Sequence, residues 1–91
     1  MTQTPVNQTT VTVTDRNETK YLFAVGFTGT PAPRDTNVLN FEFEATDALF
    51  EARRDYSLNK PCPVQSFIAA ARYVDKMIYD HRQRQGVNHG N

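Results

Sequence analysis

With a single cysteine, the chain cannot form a disulfide within itself, so packing must hold the fold together. Tryptophan is absent. Glycine is scarce, and Gly26 and Gly29 match no phosphate-cradling motif. Neither sign of charge is in excess: 10 Lys and Arg face 10 Asp and Glu. Proteins that grip nucleic acid through its phosphates usually carry a basic surplus, so any such surface here must be local. No run approaches the roughly 20 apolar residues of a membrane helix. The stretch Met1 to Thr10 is polar, which argues against a signal peptide of the usual form and for a cytoplasmic setting. The triplets Asn7-Gln8-Thr9 and Asn17-Glu18-Thr19 then read as chance matches to a glycosylation site.

What is present suits one small globular domain. The chain has 91 residues, of which 38% are hydrophobic and 22% charged. A domain of this size buries about 60–65% of its unfolded surface, so its core is thin. Six Phe and four Tyr can supply that core. Zero net charge removes a barrier to self-association.

Residues 1–8 read as a flexible tail around Pro5. Thr9 to Thr14 alternates β-branched residues, a strand with Val11 and Val13 on one face and Thr10, Thr12 and Thr14 on the other. The polar Asp15-Arg16-Asn17-Glu18 suits a hairpin. Lys20 to Phe27 is apolar at both parities, which predicts a central strand. Thr28 to Thr36 contains two prolines and a glycine and reads as a loop. Asn37 to Ala45 predicts a third strand, with Leu39, Phe41, Phe43 and Ala45 inward and Val38, Asn40, Glu42 and Glu44 outward.

Two helices are expected next. Thr46 can cap one over 47–56, with Ala48, Leu49, Ala52 and Tyr56 as its inner stripe and Phe50 to one side. Pro63 can open a second that runs to about Gln85, where Gly86 would stop it. Val64, Phe67, Ile68, Ala71, Val74 and Ile78 recur at helical spacing and predict its buried stripe. Asp75, near that stripe, is expected to pair with Arg72 or an arginine of the preceding helix, and Tyr73 to be exposed. Residues 87–91 read as a second tail.

The expected fold is therefore α+β: a three-stranded antiparallel meander, packed on one face by a short helix and a long C-terminal amphipathic helix, in the order βββαα. The domain spans 9–86.

Side-chain chemistry points away from catalysis. Cys62 precedes a helix, where a thiol pKa can fall. Its base would have to be His81, four to five turns up the same helix, or His89 in the tail. His81 lacks a second ligand at i±4 for a metal. Glu42, Glu44, Asp47 and Glu51 cluster near the sheet–helix junction, where solvated carboxylates are the default. No catalytic residue, cofactor or metal ligand is assigned, and the protein is expected not to be an enzyme.

Binding is the better expectation. The first strand lacks the charge, proline or bulge that normally guards a sheet edge. It invites pairing with a strand of a larger protein or of a second copy, unless an N-terminal extension or the 28–36 loop covers it, which is an equal expectation. The expected contact surface combines Thr10, Thr12 and Thr14 with Pro31, Arg34 and Asp35, the outward Glu42 and Glu44, and Tyr73. Small accessory or inhibitor proteins of phages and mobile elements, which work by occluding a larger protein, have this character by association. The alternative is a nucleic-acid surface built from Arg53, Arg54, Arg72, Lys76, Arg82 and Arg84. Interleaved acids argue for an ion-paired, solvated face instead.

Overall fold

The computed structural model describes residues 9–35 and 38–89, with side chains described to residue 84. The expected tail at 1–8 lies outside the described residues. The elements run β1 (Thr10–Val13), α1 (Arg16–Ala24), β2 (Thr30–Pro33), β3 (Leu39–Glu44), α2 (Asp47–Ser57) and α3 (Val64–His89). The protein is an α+β fold in which a three-stranded antiparallel sheet packs against helices. The order of the elements differs from the βββαα expectation in two places.

The segment expected to be the central strand is the helix α1. Asp15 does not turn a hairpin. Its carboxylate accepts the Glu18 N–H at 2.9 Å, and its carbonyl accepts the Thr19 N–H and hydroxyl. These bonds satisfy donors that a helix start leaves orphaned. At the other end the Gly26 N–H donates to Phe23 O and the Phe27 N–H to Leu22 O. That pair of bonds is a Schellman ending, and it requires the left-handed backbone of Gly26, whose φ is 109°. Alternating apolar residues mimicked a strand here, but the two caps enclose a single helix that buries Thr19, Tyr21 and Leu22.

The segment expected to be a loop contains β2. Arg34 N–H donates to Val38 O, so these residues form a hydrogen-bonded pair across the turn. By alternation Ala32 and Thr30 also face β3, and Pro31 and Pro33 face away. Both prolines therefore lack their N–H on the outer edge, where no ladder needs it.

The sheet order is β1-β3-β2, with β3 rather than the second segment in the centre. Val11 faces Phe43 and Val13 faces Phe41 across the β1–β3 register. As the alternation predicts, Val13, Phe41 and Phe43 are buried and Glu44 is exposed; Asn40, expected outward, is buried as well. Phe23 of α1 meets Phe41 and Phe43 edge-on, at 5.7 and 5.5 Å between ring centres. Leu22, Leu49, Val74 and Ile78 complete the core.

Both later helices form where expected. Thr46 accepts the Leu49 N–H at 3.0 Å and caps α2. Leu49 and Ala52 are buried, while Ala48 is exposed. Pro63 O accepts the Phe67 N–H and opens α3. The buried face of α3 is rotated from the expected stripe. It carries Ala70, Val74, Ile78 and His81, while Val64 is 68% exposed and Ile68 36%. The reason is α1, which packs along α3 and was not expected to be a helix. α3 also continues through Gly86 to His89, so 87–89 are helical. A lone glycine costs a helix only about 1 kcal/mol and does not end it without a capping geometry.

Ion pairs tie α1 to both other helices. Glu18 meets Arg53 of α2 at 2.7 Å, and Lys20 meets Asp75 of α3 at 3.1 Å. Asp75 thus pairs with a lysine of α1, neither with Arg72 nor with an arginine of α2.

Candidate protein-binding edge

The two edges of the sheet differ in backbone chemistry. Ala45 N–H donates to Thr9 O at 2.9 Å, which fixes the parity of β1. Val11 and Val13 then direct their N–H and C=O groups toward β3, while Thr10 and Thr12 direct theirs outward. Thr10, Thr12 and Thr14 are exposed. On the opposite edge Pro31 and Pro33 remove two outward donors and place rings there. A strand can add to β1 through two complete residues. Strand addition to β2 meets prolines at alternate positions.

The face beside the β1 edge is acidic. Thr10 lies opposite Glu44 and Thr12 opposite Glu42, with Thr30 on the far side of Glu42. The structure thus brings Thr10, Thr12, Glu42 and Glu44 together on one surface. Pro31, Arg34 and Asp35 belong to β2 and its turn, at the opposite edge. Pro31 is a strand residue, paired with Phe41. Asp35 Oδ1 accepts the Val38 N–H at 2.9 Å, and His81 Nε2 donates to Asp35 O at 2.9 Å. Asp35 therefore anchors the turn to α3. Tyr73 is 48% exposed, on the helical side, with its ring 5.2 Å from Phe23.

The basic residues do not gather. Arg53 is engaged by Glu18, and Lys76 by Asp80 at 3.2 Å. Arg53 and Arg54 sit on α2. Arg72, Lys76, Arg82 and Arg84 span about 200° of arc around α3. Cys62 is a half-buried free thiol, and His81 is buried about 25 Å along α3 from its first turn. Among the described residues no three His, Cys, Asp or Glu side chains are grouped to hold a metal ion. No helix among them is long and apolar enough to cross a membrane.

No family model matches this chain, and no curated protein or solved structure is detectably similar to it.

The hairpin β2–β3 and the cap at Asp15 were the features sequence reading missed. Both left signals: a carboxylate three residues before Glu18, and two prolines at a spacing of two, which is an edge-strand parity.

Proposed function

We propose that the protein is a non-catalytic binding module that captures an extended segment of a larger protein along β1. The observation that supports this is the contrast between the two sheet edges: one closed by Pro31 and Pro33, the other uncharged and presenting the outward backbone groups of Thr10 and Thr12. Main-chain bonds along such an edge supply affinity, and alternate side chains supply selectivity. The side chains beside β1 define the preferred segment. On the inner face it meets Val11, which is half-buried and favours an apolar residue. On the outer face it meets Thr10 and Thr12, with Glu42 and Glu44 one strand further in, which favours Lys or Arg. The partner segment is thus an alternating apolar–basic strand, and the module acts by occupying that surface. A cytoplasmic setting suits a chain whose one cysteine is a free thiol.

Thr12→Pro tests this reading, because it removes an outward N–H and leaves the β1–β3 ladder intact. Cross-linking in cell extract should capture a protein with the native chain and not with Thr12→Pro. A species captured equally by both would exclude the β1 edge as its site. If sedimentation shows that Thr12→Pro only converts a dimer to monomer, the occupant is a second copy.

A further inference from the structure

A cavity of about 330 Å³ opens where the start of α3 passes the end of α2 and the middle of α1. Its walls include Tyr21, Tyr56, Cys62, Val64, Phe67 and Ile68, with the polar Asn59 and Lys60 also lining it. The size is that of a small-molecule site, and the lining is mostly apolar. Tyr21 is 7% exposed, yet no described residue accepts a hydrogen bond from its hydroxyl. Buried tyrosine hydroxyls usually have a partner. The Tyr56 ring, 5.5 Å away, likewise has a hydroxyl with no acceptor among the described residues. The wall therefore combines two phenol side chains with apolar surface, and no Asp or Glu lines it.

We infer that this cavity binds a small uncharged molecule with a hydrocarbon body and a carbonyl oxygen, the oxygen accepting from the Tyr21 hydroxyl. The body lies against Phe67, Ile68 and Val64. Charge on the ligand is disfavoured because the wall is mostly apolar and would strip it of water. Burial first, then Asp55 and Cys62, raise the Tyr21 pKa, and burial, Asp15 and Glu18 raise that of Tyr56. Burial thus favours the protonated, donor form of both phenols. Lys60 also lines the cavity but is exposed, where solvent and salt screen it. The site is independent of the β1 edge, and either can fail alone.

Hydrocinnamamide and hydrocinnamate, which share one hydrocarbon body, are the probes. Titration of the native chain at neutral pH, followed by amide chemical shifts, should give saturable changes at the lining residues with the amide and weaker binding of the acid. Tyr21→Phe keeps the ring and should weaken amide binding about two- to tenfold, the worth of one hydrogen bond. Ile68→Glu, at a partly exposed wall position, should abolish it without depending on the core. No saturable change with either probe overturns the inference. Tighter binding of the acid, or amide binding unaffected by Tyr21→Phe, overturns it as well.

Discussion

Gly29 has no room for a side chain. A Cβ there would stand 2.6 Å from Cζ of Phe43, whose ring is 1% exposed and held in the core. Gly29→Ala should therefore lower stability by about 1–3 kcal/mol, as overpacking does. Urea denaturation measures this, and an unchanged midpoint would contradict it. Tyrosine ionisation is the second residue-scale prediction. Tyr21 and Tyr56 carry pKa values raised first by burial, so the folded state holds their protons more tightly than the unfolded chain does. Their contribution is fully present below the ordinary tyrosine value of about 10. It is lost as pH rises through that value toward the folded pKa. Stability should thus fall in alkali, and Tyr21→Phe with Tyr56→Phe should flatten the fall. At this scale the sequence was a good guide where neighbours did not matter: the Val11/Val13 and Phe41/Phe43 faces followed from alternation alone. Gly29 was not legible, because its constraint is a ring 14 residues away in the chain.

At the scale of elements, helix ends carry the definition of α1 and α2. Asp15→Ala removes the α1 cap and should cost about 0.5–2 kcal/mol. Gly26→Ala forces a side chain into a left-handed backbone and should cost about 1–2 kcal/mol. α2 ends in the same way: Asn59 N–H donates to Tyr56 O and Lys60 N–H to Asp55 O, with Asn59 at φ 60°. Asn59→Gly should be neutral or slightly stabilising, while Asn59→Val should destabilise. Thermal or chemical denaturation of the three sites checks whether the caps matter as described. These ends also explain what was misread. Tyr21, Phe23, Val25 and Phe27 alternate like a strand, but one polar cap at Asp15 and one glycine at Gly26 decide for helix once α3 offers a surface to pack against. The rotation of the α3 stripe follows from that single error. β2 was hidden because prolines ordinarily signal a loop, and only their common parity makes them compatible with an edge.

For the whole molecule, the hydrophobic face of the sheet is covered and its two edges are unequal. Thr12→Pro should leave stability within about 1 kcal/mol, because the lost N–H has no partner among the described residues of the sheet. Val11→Pro removes a bond to Phe43 and should destabilise by at least about 1 kcal/mol. Comparison of the two variants by denaturation separates an open edge from a covered one. The α+β class and the two later helices were readable from periodicity and caps. The strand order was not, because which strand becomes central depends on long-range pairing that local pattern does not encode.

Native-state hydrogen exchange of the β1 amides in dilute solution tests the open edge most directly. The Val11 and Val13 amides should be protected, while those of Thr10 and Thr12 should exchange almost as fast as in the unfolded chain. Protection of Thr12 equal to that of Val13 would mean that the edge is already occupied, and the binding role assigned to it would be wrong.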